Sequence, residues 1–230
     1  MKPPWHGVNE RGEARLRLSS HPDGPALKLH WSPRSPYVRK VMVAAHELGL
    51  VEGIACVRSV AAMSTPNPAI MADNPLSKIP TLVLPDGEML IDSRTIVEYL
   101  DSLAGGGILV PREGVARWRA LSRQALADGL LDLLILWRNE REKPPARQTD
   151  AWLAAFAVKA AATLDRFEQQ AANAADEAFG IGEIALGCAL SYADFRFADL
   201  NWRSGRPRLA GWHESFAARP SARATEVIDA

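Results

Sequence analysis

The 230-residue sequence predicts an α/β sheet region followed by an all-helical region. Three observations carry this. From Ala26 to Leu103, short alternating apolar runs and helical stripes follow one another in the order β-α-β, then β-β-α. An Asp86-Gly87 turn joins two of those runs as a hairpin. After Gly105-Gly106-Gly107, apolar residues recur only at helical spacing.

In order, residues 1–25 lack hydrophobic periodicity and read as an N-terminal extension. Ala26 to Trp31 alternates as a strand and runs into Ser32-Pro33-Arg34-Ser35-Pro36, a loop with two prolines. Val38, Val41, Met42, Ala45 and Leu48 form a helical stripe that Gly49 ends. Ile54 to Val57 is a second strand, and Cys56 within it reads as an inert core residue. Residues 61–78, with small residues and three prolines, suit a loop with at most a short helix. Thr81 to Leu84 and Met89 to Ile91 flank the Asp-Gly turn as strands, and Asp92-Ser93 begins a helix carrying Ile96, Val97, Leu100 and Leu103. Domain boundaries are expected at 26–105 and 111–230.

In the second region Trp118, Leu121, Ala125, Leu130, Leu133, Leu134 and Trp137 mark a long helix, and most of that stripe is expected in the core. Arg138, Glu140 and Arg141 read as its solvated, salt-bridged end, from which an arginine could reach an acidic substrate. Pro144-Pro145 breaks it, and Leu153, Phe156, Ala157, Ala160, Leu164 and Phe167 mark a second helix. Two shorter helices are expected near 191–203 and 206–218.

Composition excludes several function classes. Lys plus Arg equals Asp plus Glu at 27 each, so no long-range field favours nucleic acid. The longest apolar runs are too short to span a bilayer, so no membrane partner is expected. Two cysteines without a Cys-x-x-Cys pair argue against a disulfide framework and point to the cytoplasm. The five histidines are scattered without ligand spacing, so no metal is expected.

Three short motifs each have a structural explanation. Ser35 before Pro36 is a good N-cap followed by Pro at the first helical position. Asp92-Ser93 is another cap at a strand-to-helix junction. Ile79-Pro80 precedes a strand, and by residue type alone its bond favours trans, since about 5–6% of X-Pro bonds are cis.

Taken in order, Ser35-Pro36-Tyr37, Lys78-Ile79-Pro80 and Asp92-Ser93 on this frame resemble the glutathione transferase family, and the resemblance covers roughly residues 26–222. It implies a thioredoxin-like first half and a helical second half. It implies that Ser35, or Ser32 a few positions earlier, donates a hydrogen bond to the glutathione sulfur. It implies a cis Pro80, with the Ile79 backbone pairing with the cysteinyl part of glutathione and Lys78 touching the tripeptide. Ser93 would meet the γ-glutamyl carboxylate, and Asp92, where many members carry Glu, would help place its amino group. Ser191-x-x-Asp194 resembles the family's N-capping box.

The implied activity is conjugation of glutathione, as co-substrate, to a small hydrophobic electrophile by a homodimer, without a metal. The alternatives are a glutathione-dependent isomerase, dehalogenase or peroxidase, a non-catalytic glutathione- or ligand-binding protein, and a structural member without glutathione binding. Serine rather than cysteine at position 35 argues against thiol–disulfide exchange.

Overall fold

The structure, a computed structural model, describes residues 27–171 and 178–229. The expected extension at 1–25 and the start of the first strand at Ala26 lie outside the described residues.

Strand β1 (Leu27–Trp31) is followed by helix α1 (Pro36–Glu47), strand β2 (Ile54–Arg58), helix α2 (Pro68–Met71), strands β3 (Thr81–Val83) and β4 (Met89–Leu90), and helix α3 (Ser93–Leu103). The sheet order is β2-β1-β3-β4, with β1 parallel to β2 and β3 antiparallel to both its neighbours. This is the thioredoxin-like arrangement that the resemblance implies. Gly49, at φ 68°, turns the chain after α1, as its position beyond the apolar stripe predicts. Behind α3, the buried carboxylate of Asp101 accepts the backbone N–H groups of Gly107, Ile108 and Leu109 at 2.7–3.0 Å and so fixes the glycine run.

The helical region contains α4 (Gly114–Arg141), α5 (Asp150–Ala171), α6 (Ile181–Arg196), α7 (Pro207–Ala217) and α8 (Pro220–Ala224). Two apolar cores result. One joins Leu29, Val41, Leu82, Ile96 and Leu100 of the sheet side to Ile184 and Cys188 of α6. The other joins Leu131 and Leu134 of α4, Leu164 and Phe167 of α5, and Leu186 and Leu190 on the opposite side of α6. Helix α6 therefore sits between the cores, buried at every position from Ile181 to Leu190.

That corrects the expectation of a helix starting near 191. A helix buried all round carries no amphipathic stripe, so periodicity passes over it. The capping box moves with it. Ser191 and Asp194 lie inside α6, and the actual helix start is Gly180, whose N–H donates to Glu183 Oε2 at 3.0 Å. Glycine stands there because an added Cβ would lie 2.7 Å from the Leu109 carbonyl oxygen. Gly187 is tighter still, since a Cβ would meet the Phe216 ring at 2.4 Å. Gly187→Ala is expected to destabilise the protein by about 1–3 kcal/mol through overpacking, read as a lower urea midpoint with an unchanged slope.

Ser191 and Asp194 serve α7 instead. Asp194 accepts from Trp202 Nε1 at 2.8 Å and pairs with Arg203, whose guanidinium also lies 3.2 Å from His213 Nδ1. Arginine can only donate, so Nδ1 is the acceptor and the His213 proton sits on Nε2, 3.0 Å from Ser191 Oγ. Burial, opposed by Asp194 and reinforced by Arg203, pushes the His213 imidazole down to about 4. A histidine whose folded value is depressed contributes stability present above the unfolded value of about 6.5 and lost as pH falls toward 4. We expect up to about 3 kcal/mol to disappear across that window, and His213→Gln to flatten this part of a melting-temperature–pH profile.

Other expectations also change. Cys56 is exposed, because β2 is the edge strand and its outer positions are uncovered. Trp118 is exposed at 68% and Ala125 is exposed, because the first half of α4 packs Ala120 and Leu121 against the first core and leaves these two positions uncovered. Glu140 is buried, accepting the Thr149 N–H at 2.8 Å at the start of α5.

Candidate functional site

The register of the sheet gathers the three motifs. His30 of β1 lies opposite Thr81 of β3, and Leu82 opposite Leu90 of β4. The loop leaving β1, the Ile79-Pro80 step entering β3 and the Ile91-Asp92 step leaving β4 therefore share one end of the sheet. The N-termini of α1 and α3 open at that end, and free N–H groups at helix starts favour anionic groups.

Ser35 is the N-cap of α1, half-buried, with φ −83° and ψ 117°. Its Oγ accepts the Val38 N–H at 3.2 Å, and Pro36 takes the first helical position. Accepting that bond leaves its O–H free to donate to a ligand, so the cap and a binding role are compatible. Ser32 Oγ faces the Arg34 N–H at 3.4 Å within the preceding turn.

The Ile79-Pro80 bond is cis, as the resemblance and not the residue type implies. The loop before it is tied from both sides. Buried Asn74 donates to Thr81 Oγ1 at 2.8 Å and to the Lys78 carbonyl at 3.3 Å, and Thr81 Oγ1 donates to that carbonyl at 2.8 Å. Just upstream, Asp73 accepts from Lys28 Nζ at 2.6 Å and from His30 Nε2 at 2.7 Å, which anchors α2 to β1. The Lys78 side chain is exposed and Ile79 half-buried. Asp92 caps α3, accepting the Arg94 N–H at 2.9 Å from an exposed position, and Ser93 is buried at the first helical position.

Beneath these groups lies a charge cluster that sequence reading missed. Asp128 of α4 is 1% exposed and accepts Lys40 Nζ of α1 at 2.7 and 2.9 Å and Arg94 Nε of α3 at 2.9 Å. One turn on, Asp132 accepts the Tyr37 hydroxyl. Burial, joined by the hydrogen bond and charge of Asp132, holds that phenol protonated well above the usual tyrosine value. Burial also lowers the Lys40 ammonium below its ordinary value, opposed by Asp128. Two carboxylates four residues apart on α4 thus clamp the first turns of α1 and α3. The only local signal was a lysine inside an apolar helix segment, Arg39-Lys40-Val41-Met42.

Farther along α4, Trp137 is packed in the second core against Phe197, with ring centroids 5.1 Å apart. A groove of about 270 Å³ beside it is lined by Arg138, Arg141, Glu142, Phe195, Arg196 and Phe197. Among the described residues no cluster of three His, Cys, Asp or Glu could hold a metal ion, and no helix is long and apolar enough to cross a membrane.

Comparison with known proteins gives consistent matches. The family model described as Glutathione S-transferase, N-terminal domain matches residues 34–103, and that described as Glutathione S-transferase, C-terminal domain matches residues 150–215. The uncharacterised GST-like protein YibF of Escherichia coli K12 is 30% identical over 202 residues, covering 87% of this chain and 98% of that protein. A crystal structure of a glutathione transferase family member from Pseudomonas fluorescens Pf-5 with bound glutathione is 42% identical with a TM-score of 0.85. It covers 88% of this chain and 100% of its own. A second structure from that organism, with bound S-(propanoic acid)-glutathione, is 41% identical with a TM-score of 0.81 and the same coverage.

Proposed function

Since this chain belongs to the glutathione S-transferase family, we propose that it binds glutathione and conjugates its thiolate to a small electrophile. The observation that carries this reading is the convergence of Ser35, cis Ile79-Pro80 and Asp92-Ser93 at one end of the sheet, beside two helix N-termini. The γ-glutamyl carboxylate accepts from Ser93 and from backbone N–H groups at the start of α3, and Asp92 attracts the α-ammonium. The Ile79 backbone pairs with the cysteinyl residue as a neighbouring strand would. Lys78, exposed at the rim, reaches the tripeptide as a charge.

The thiol then lies over the start of α1. A free thiol of about 8.5 is mostly protonated at neutral pH. The Ser35 hydroxyl and the positive end of α1 stabilise the thiolate and lower that value. The thiolate attacks an electrophilic carbon; a C–S bond forms and the leaving group departs with its bonding pair. Ser35 never becomes covalently attached.

A homodimer fits an open cavity of about 650 Å³ between α3 and α4, whose lining includes Tyr99, Leu121 and Ala125, with Trp118 exposed on the same face of α4 one turn away. The free thiols of Cys56 and Cys188 fit a reducing cytoplasm, and burial keeps Cys188 at about 11, protonated and unreactive.

Calorimetric titration with glutathione tests the first half of the reading, with saturable one-to-one binding per chain expected. Absence of binding at millimolar glutathione would refute it and leave a structural member of the family. Glutathione bound with its sulfur more than about 4 Å from Ser35 Oγ in a soaked crystal would move the thiolate role elsewhere.

A further inference from the structure

We propose that Arg34 and Arg196 form a carboxylate-binding subsite beside the glutathione sulfur, so that the second substrate is an electrophile carrying a carboxylate. The inference rests on the conjugation reading above and names the substrate class of that same site. It starts from one acidic side chain. Asp229, in the segment after α8, places Oδ1 3.1 Å from Arg34 Nε and 3.8 Å from an Arg196 terminal nitrogen. Arg34 immediately precedes Ser35, and Arg196 ends α6, so two guanidiniums from distant parts of the chain converge on one carboxylate oxygen next to the proposed thiolate donor.

The convergence is built rather than incidental. The Arg196 guanidinium stacks on the Phe195 ring at 3.8 Å from its centroid, which fixes its plane, and its buried Nε has no hydrogen-bond partner among the described residues. Its contact to Asp229 is longer than a hydrogen bond, so the arginine retains unused donors. The neighbouring groove adds charge and an apolar wall. Arg138 and Arg141 are balanced by Glu142 and Asp199 at 3.3 and 3.0 Å, while Phe195 and Phe197 line the floor. Among the described residues Arg34 and Arg196 share Asp229 as their one carboxylate, so its departure leaves a surplus of positive charge beside an aromatic surface. Asp229 is 61% exposed at its side chain and therefore cheap to displace. A small acid with an apolar body matches that surface: its carboxylate takes the place of Asp229, and its electrophilic carbon faces the sulfur.

Binding of adducts tests this without requiring turnover. Dissociation constants of S-(2-carboxyethyl)glutathione and of S-propylglutathione, which lacks only the acid, are to be measured by calorimetry. The acid is expected to bind about tenfold tighter. Arg196→Gln, and independently Arg34→Gln, should bring the two constants together, and Asp229→Asn should widen the gap. Equal affinities in the unaltered protein, or a preference that survives both arginine changes, overturn the subsite while glutathione itself still binds. If glutathione fails to bind as well, the conjugation reading has failed and the subsite falls with it. Raising salt from 0.05 to about 0.5 M should narrow the preference, and a salt-independent preference also counts against it.

Discussion

Asp128→Leu is expected to destabilise the protein by about 3–5 kcal/mol, because it removes one partner of a buried ion pair and leaves Lys40 charged and dry. Lys40 and Asp128 are 0% and 1% exposed at their side chains, so water cannot replace the lost partner. Arg94 also loses its carboxylate, although its half-exposed guanidinium finds solvent readily. Urea denaturation reads the change as a lower midpoint. The double variant Lys40→Met with Asp128→Leu should recover most of the loss, since a well-packed apolar pair of similar volume substitutes for a buried ion pair at little cost. A single variant within about 1 kcal/mol of the unaltered protein would show that the pair does not hold the two regions together. Because the same carboxylate reaches both α1 and α3, the double variant should also bind glutathione more weakly, even with its stability restored.

Ser35→Ala should reduce turnover on the order of 10²-fold, the usual consequence of deleting one donor to a developing or stabilised anion. Stability should fall by only about 1 kcal/mol from loss of the Val38 cap. The two readouts separate the roles, since a pure cap would lose stability without a selective loss of turnover. The thiolate absorbance of bound glutathione near neutral pH should fall in parallel, with its titration moved toward the free-thiol value of about 8.5. Undiminished turnover would refute the assignment and direct the same substitution to Ser32, whose Oγ lies in the preceding turn.

Local chemistry makes much of the frame legible in the sequence. Pro36 after Ser35, Gly49 after an apolar stripe and Asp86-Gly87 between two short strands act within a few residues, and each appears where expected. The three motifs proposed to bind glutathione are legible only as an ordered set, because each alone is a cap or a proline at a strand start.

Local residue patterns are enough to give the order of elements and the identity of the groups available at their ends. Which helix is enclosed, which apolar residues stay wet and which charges meet depend on how the elements pack. The part of α6 before Ser191 carries no sequence signal, because burial on all sides erases the periodicity that reveals a half-buried helix. Trp118 reads as core because an exposed apolar residue can fall on the same 3.6-residue spacing as the buried ones. Lys40, Arg94 and Asp128 lie 34 to 88 positions apart, Arg34 and Asp229 lie farther apart still, and no local pattern encodes such pairs. Their partners are set by how whole elements pack, and that packing brings the arginine beside a helix-capping serine to within 3.1 Å of a carboxylate from the far end of the described residues.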